Sequence, residues 1–343
     1  MTKTAPEVEK VHGETKNGVK GHANGKKRVW GCLLTNIGYL RGVLTLYYSL
    51  IRSGTTYPFY VFYTEVTRPL REFYANRETL EQKALDILAE RKIPICHIPL
   101  LKPATSYSVT ESRFNETWSK INIFALDQFD RIAVLDGDML VLKNMDELMD
   151  IPIPEDGLAA CHACVCNPRK LSYYPSTWIP EACAYTYQSY PSSVKEGMSA
   201  SFPNGLSELN GGLQIFKPSR QKFDRIYKVL NNSSPSEFLF ADQSLLSKTF
   251  KDNWTPLYLK TRAITNVRPY IYNALKTLRT AHAPIWKDGQ VKNVHYILGK
   301  PWNDKAMGES TEDTHVWWWE IDRERQETER EAGLIEPDWE SIL

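Results

Sequence analysis

No stretch of this 343-residue chain is apolar for long enough to cross a bilayer. The most apolar early run, Val43 to Ile51, is short and carries Tyr47, Tyr48 and Ser49. The opening segment MTKTAPEVEKVHGETKNGVKGHANGKK lacks the apolar core of a signal peptide. Cysteine is sparse, six residues in all, which excludes the disulfide framework of a small secreted domain. Together these absences predict a soluble, cytoplasmic protein with no membrane partner. An excess of one charge is missing too. With 42 Lys+Arg against 41 Asp+Glu the formal net charge is +1, so no global field exists to grip nucleic acid. No G-x-G-x-x-G follows the first strand-like run, which argues against an ordinary dinucleotide enzyme. Internal repeats and heptads are absent as well.

What is present is ordinary globular material, 42% hydrophobic and 24% charged. Aromatics reach 12%, and they suit both cores and the walls of sugar and base pockets. Residues 1–27 are Lys-, Glu- and Gly-rich without periodicity and read as a disordered tail. Order then begins with the strand-like RVWGCLLTN. Ile37 to Arg52 follows with Leu40, Val43, Leu44, Tyr47 and Leu50 at helical spacing. PFYVFYT, IPICHIPL and RIAVLDGD read as strands, separated by the helical REFYANRETLEQKALDILAERK and the helix-like KINIFALDQF. This alternation implies parallel strands joined by crossover helices. Runs without polar alternation imply a sheet covered on both faces. The class is α/β and Rossmann-like, with ligands expected beyond the carboxyl ends of the strands.

The second half is less regular. GLAACHACVC and LNGGLQIFKPS suggest strands, and QKFDRIYKVL, FADQSLLSKTF and YIYNALKTL suggest helices. VKNVHYIL reads as a late strand, and residues 167–203 as a long functional loop. VWWWEIDRERQETEREAG reads as a charged helix clamped to the body by Trp317 to Trp319.

The chemistry concentrates in AVLDGDMLVL. Asp136 and Asp138 flank one glycine at the end of a buried strand, where both carboxylates could reach a hard divalent cation. The competing reading is a chance D-x-D on an ordinary Asp-Gly turn. VHYILGKPWN adds His295, whose imidazole can complete a coordination sphere, and Lys300, which can neutralise a phosphate.

Taken together these features resemble glycosyltransferase family 8, the retaining nucleotide-sugar transferases that include glycogenin and galactinol synthase. The resemblance runs from Val29 to Asn303, with its parts in family order: LLTNIGYLRGVLTLYYSL, WSKINIF, the D-x-D, LNGGLQIFKPS, FADQSLL and HYILGKPWN. It implies a GT-A fold, a mixed central sheet flanked by helices, occupying residues 28–305 and followed by a charged helical extension at 306–343. It also implies a UDP-sugar donor and Mn2+, with Mg2+ as the alternative ion. Asp136, Asp138 and His295 would hold the metal. Thr35, Asn36, Tyr39 and Lys120 would bind the donor, with Asn210, Gly211 and the Gly299–Lys300 segment. Asp242, Gln243 and Lys300 would take the catalytic roles.

Two departures narrow the expectation. The interval from His295 to Lys300 is shorter than in better-known members, so the phosphate loop should take a tighter path. SEFLFA stands before Asp242 where glycogenins carry Asp-Gly-Gly, and the motifs look closer to galactinol synthase. The expected reaction is hexosyl transfer to a small polyol or saccharide. A self-glucosylating initiator and a non-catalytic UDP-sugar-binding protein are the competing readings, and homo-oligomerisation is left open. CHACVC invites a zinc reading through Cys161, His162, Cys164 and Cys166. Crowding on one strand-like segment, where alternate side chains face opposite ways, favours buried thiols instead.

Overall fold

A computed structural model of the chain describes residues 27–64, 77–101, 103, 117–187, 208–234, 237–251, 253–257, 272–276, 278–304 and 313–342. The expected tail before Lys27 and the 188–203 part of the long loop lie outside the described residues.

The first half follows its sequence pattern. β1 (Lys27–Leu34) leads through a turn to α1 (Leu40–Arg52), then β2 (Phe59–Thr64), α2 (Arg77–Glu90), β3 (Ile95–Ile98) and β4 (Phe129–Leu135). Strands β3, β2, β1 and β4 lie side by side in that order and are parallel. Trp30, Cys32 and Leu34 point to one core and Val29 to the other, as expected of a sheet covered on both sides. KINIFALDQF departs from its expected helix: Thr117–Ala125 forms consecutive 3-10 turns. Every residue from Trp118 to Phe124 is buried there. A segment enclosed on all sides has no amphipathic stripe to select the 3.6-residue period.

After β4 the chain forms β5 (Met139–Val141), β6 (Leu158–His162), α3 (Ala184–Tyr187), β7 (Leu209–Phe216), α4 (Arg220–Asn232) and α5 (Asp242–Thr249). β8 (Trp254–Pro256), β9 (Ala274–Leu275), α6 (Leu278–Ala281), β10 (Asn293–His295), α7 (Asp313–Glu331) and α8 (Trp339–Ile342) complete it. β7 is buried along its whole length and joins the main sheet antiparallel to β4 and to β6. β8 then closes that edge parallel to β6, so the seven-stranded sheet is mixed. The YIYNALKTL segment is not one helix. Ala274 and Leu275 pair in parallel register with Val294 and His295, and the helix starts only at Leu278. A short apolar run carries no period long enough to separate the two states. β5, β10 and β9 form a small second sheet, which no sequence pattern foretold.

Close packing on both sides of α1 fixes the D-x-D turn and the C-terminal helix. A Cβ on Gly42 would lie 2.5 Å from the Gly137 carbonyl oxygen, so only glycine lets α1 press against the D-x-D turn. On the far side, α7 docks on α1 through a buried ion cluster. Asp322 and Arg325 are both fully buried, Arg41 Nη2 lies 2.8 Å from Asp322, and Thr45 donates to the same carboxylate at 2.7 Å. Trp318 is the member of the tryptophan triplet that is wholly enclosed, against Trp302. Among the described residues no helix is long and apolar enough to cross a membrane.

A pH-dependent stability term arises at the start of β7. Burial raises the Glu208 carboxyl to about 7 from an ordinary value of 4.5, with Ser247 opposing the shift. The folded state therefore holds this proton more tightly than the unfolded chain. Stability from Glu208 is full below pH 4.5 and is lost as pH rises through 7. Glu208→Gln should match wild type near pH 4.5 and exceed it at pH 8 by about 3 kcal/mol in urea unfolding. Equal differences at both pH values would exclude this assignment.

Candidate active site

The strand ends of the main sheet and the small sheet meet at one cavity of about 240 Å³. β4 terminates in Asp136-Gly137-Asp138, and β5 leaves the same turn. β10 pairs antiparallel to β5 with His295 opposite Met139, which carries the imidazole to the D-x-D. The Tyr296 amide donates to the Asp138 carbonyl at 2.8 Å and fixes that approach. His295 Nε2 stands 3.3 Å from Asp138 Oδ1 and 3.9 Å from Asp136 Oδ2. One ligand atom from each of the three lies within 4.8 Å of the other two.

A chain of amides decides how His295 presents itself. The Gly212 N–H and Asn273 Nδ2 both donate to Asn210 Oδ1, at 3.0 and 2.8 Å. That turns Asn273 Oδ1 toward His295 Nδ1, 3.0 Å away, so Nδ1 carries the hydrogen. The lone pair of Nε2 is thereby left facing the two carboxylates, an arrangement typical of metal-binding histidine. Two hard oxygen donors and one imidazole so oriented fit a divalent ion such as Mn2+ or Mg2+. Asn273 was not legible in the sequence, since nothing in NALKTL marks it as a partner of a distant histidine.

Gly212 is equally hidden. A Cβ there would fall 2.4 Å from His295 Cε1 and 2.6 Å from Met139 Cε. Gly212→Ala must displace the ring, and should weaken divalent-metal affinity by about 10- to 100-fold, the usual effect of disturbing a ligand's support. Metal titration followed by calorimetry checks this, and unchanged affinity would show that the ring is not held by this contact.

Two buried lysines balance the carboxylates. Lys120 Nζ is 2.6 Å from Asp136 Oδ1 and 3.4 Å from Asp242 Oδ2, and donates to the Gly211 carbonyl at 3.0 Å. Burial works against its charge, but Asp136 and Asp242 outweigh that and hold the ammonium above its ordinary pKa. Lys300 pairs with Asp138 and donates to the Tyr296 carbonyl at 2.9 Å. Burial likewise opposes ionisation of Asp138, yet Lys300, its ion-pair partner, outweighs that and holds the carboxyl far below the usual range. For Asp136 burial prevails and raises the carboxyl, with Lys120 opposing and Asp138 adding to the rise.

Between His295 and Lys300 the chain turns through Leu298, which adopts a left-handed backbone at φ 69°. Gly299 itself does not line the cavity; its carbonyl accepts from Lys276 Nζ at 2.9 Å, while Ile297, Leu298 and Lys300 face the space. The other expected residues all line it: Thr35, Asn36 and Tyr39 beyond β1, Lys120, Asn210 and Gly211 on β7, and Asp242 and Gln243 opening α5. Asn36 Oδ1 accepts from the Gly38 amide at 2.9 Å, which caps the turn that presents Tyr39. Trp302 stands behind the Tyr39 ring, edge-on at 5.7 Å, and supports it from outside the cavity. Asp242 follows Ala241, whose φ of 47° is strained for a residue with a side chain. Gln243 Oε1 accepts from the Gly211 amide at 3.1 Å, tying α5 to β7. Tyr173, Tyr174, Trp178 and Phe240 form an aromatic wall opposite, with Trp178 and Phe240 stacked at 4.7 Å. Tyr173, Tyr174 and Trp178 come from the aperiodic 167–203 stretch and Phe240 from the FADQSLL motif, and none carried an individual signal beyond composition.

The chain is 25% identical over 296 residues to Galactinol synthase 1 of Solanum lycopersicum, spanning 84% of this chain and 79% of that protein. Galactinol synthase 3 of Arabidopsis thaliana is 24% identical over 306 residues, 86% of this chain and 81% of that one. The solved galactosyltransferase LgtC, in complex with donor and acceptor sugar analogs, superposes with a TM-score of 0.57 at 14% identity, covering 92% of this chain and 99% of LgtC. GlyE of Streptococcus pneumoniae TIGR4 superposes at 0.52 with 16% identity over 91% of this chain and 66% of GlyE, so the chain spans just under two thirds of that protein. Those neighbours establish the GT-A fold. The model of Glycosyl transferase family 8 matches residues 32–306, from the first strand past the Lys300 loop. A match of that extent shows that the chain is a glycosyltransferase and belongs to glycosyl transferase family 8.

Proposed function

We propose that the protein is a Mn2+-dependent, retaining hexosyltransferase that moves a sugar from a UDP donor to a hydroxyl of a small polyol. The convergence of Asp136, Asp138 and a correctly oriented His295 between two buried lysines carries this reading. Those three residues would hold the ion, which supplies Lewis-acid stabilisation of negative charge on the departing diphosphate. Lys300 adds a fixed positive charge in a site of low dielectric, where it counts for more than in water. Tyr39, Thr35 and Asn36 are assigned to the nucleoside end. Asn210, Asp242 and Gln243 are assigned to the sugar, and the aromatic wall to the acceptor. We take residues 28–305 as the catalytic unit.

Attack on the anomeric carbon from the leaving-group side is favoured over a covalent intermediate. Gln243 Oε1 already accepts from the Gly211 amide, and Asp242 Oδ2 lies 3.4 Å from the Lys120 ammonium, which weakens the electron density either offers to the anomeric carbon. Mass detection of a glycosyl adduct on either side chain would exclude that route. The galactinol synthase relatives and the absence of Asp-Gly-Gly before Asp242 favour a polyol over self-glycosylation. The test is UDP release from several UDP-sugars with Mn2+, against myo-inositol, other polyols and oligosaccharides. Turnover that requires both metal and polyol is expected. A ladder of hexose masses on the protein without acceptor would replace this reading with self-glycosylation. Tight UDP binding with no turnover on any acceptor would replace it with a binding protein.

A further inference from the structure

Next to the aromatic wall lies a second cluster of ligand-type side chains, of which Cys164 also lines the cavity. Cys164 and Cys166 extend from the end of β6, Cys183 precedes α3, and His282 follows α6. All four are buried, with Cys183 fully enclosed. Their sulfurs converge on one nitrogen: Cys166, Cys183 and Cys164 Sγ lie 3.0, 3.6 and 3.8 Å from His282 Nε2. Cys183 and Cys164 Sγ are 3.9 Å apart, and one ligand atom from each of the four lies within 4.8 Å of all the others.

Hydrogen bonding does not account for such a grouping. A ring nitrogen offers one donor or one acceptor position, yet three thiols surround this one. A disulfide does not account for it either, because all six cysteines are free and bonded sulfurs sit at about 2.05 Å. A tetrahedral ion does. With metal–sulfur bonds of about 2.3 Å and metal–nitrogen bonds of about 2.0 Å, tetrahedral edges come to about 3.8 Å between sulfurs and about 3.5 Å from sulfur to nitrogen. We propose that Cys164, Cys166, Cys183 and His282 form a structural Zn2+ site. Soft thiolates with an imidazole and no oxygen ligand select zinc over the hard ions suited to Asp136 and Asp138. Binding releases three thiol protons and leaves three thiolates, one neutral imidazole and Zn2+, a net charge of −1.

The spacing concealed this site. Cys161 and His162 of the same segment take no part, and the imidazole of His162 packs instead on Trp254 at 4.8 Å. Buried thiols, the sequence expectation, describe each cysteine correctly but not their assembly around a histidine 116 residues away. The ion would staple the segment carrying Tyr173, Tyr174 and Trp178 to β6 and to α6. It would thus fix the acceptor-side wall without touching the reacting atoms.

Full-length protein washed with EDTA to remove loosely held ions is expected to retain about one zinc per chain by mass spectrometry. Zinc-edge X-ray absorption of the wild type should give a shell of three sulfurs and one nitrogen, which requires no variant to fold. Cys183→Ser and His282→Asn should lose the zinc, whereas Cys161→Ser and Asp138→Asn should keep it. That contrast separates this site from the D-x-D site and from the transferase reading. Zinc below about a tenth of the chain concentration, a shell of oxygen and nitrogen only, or full zinc in Cys183→Ser would each overturn the proposal.

Discussion

Asp138→Asn is expected to lower metal-dependent UDP release by about a thousandfold while the protein remains folded. The substitution keeps the shape of the side chain and removes its charge. The proposed ion would lose the carboxylate that stands 3.3 Å from His295, and Lys300 loses the counter-charge that holds it in place. The backbone contact from the Tyr296 amide to the Asp138 carbonyl is untouched, so the β5–β10 junction should persist. The loss belongs in kcat, because the charge being stabilised grows as the diphosphate departs. Circular dichroism and thermal unfolding should show a native protein. Activity within tenfold of wild type would mean that the ion, if bound, is not held by this carboxylate.

The second large effect concerns stability. Asp322→Ala should destabilise the protein by about 3–5 kcal/mol, because it leaves buried Arg325 and partly buried Arg41 without their shared carboxylate. The melting temperature should fall by roughly 5–10 °C. Burial opposes ionisation of Asp322, but Arg325 and Arg41 outweigh it and hold the carboxyl below its usual value. Arg325 also reaches Glu329 and Glu336, at 2.7 and 2.8 Å, so some compensation comes from within α7 and its following loop. The Arg41 guanidinium lies 4.6 Å from the Trp319 ring centroid, which retains part of the docking. Double substitution of Asp322 and Arg41 to Ala and Met should recover part of the loss, since one of the two orphaned charges is then gone. A loss below about 1 kcal/mol in the single variant would show that α7 is only loosely attached.

Much of the site was legible because its residues sit at strand ends that the apolar runs announce. Thr35 and Asn36 end the first run, and Asp136 and Asp138 end the fourth. Their convergence follows from parallel neighbours with a shared carboxyl edge. What the motifs did not show was the support. Asn273 orients His295, and Gly212 leaves room for its ring, yet neither carries a local signature because each acts on a residue far along the chain. KINIFALDQF and YIYNALKTL departed from their expected forms for a related reason: burial through Phe124 in one and sheet pairing in the other overrode weak local periodicity.

By itself, then, the chain's order of apolar runs and polar punctuation determined a parallel half-sheet and the motifs of a nucleotide-sugar transferase. Its balance of charge left no global field, so the anionic donor of the proposed reaction would have to be held by a local constellation. Only the tertiary structure decided how that constellation is held. It set the tautomer of His295, the partner of each lysine, and the wall of Tyr173, Tyr174, Trp178 and Phe240. It also turned scattered thiols into a cluster around His282. The physical reason is the same in every case. Periodicity records what a segment does against solvent, whereas ligand spheres and buried charges are set by contacts between segments that share no pattern.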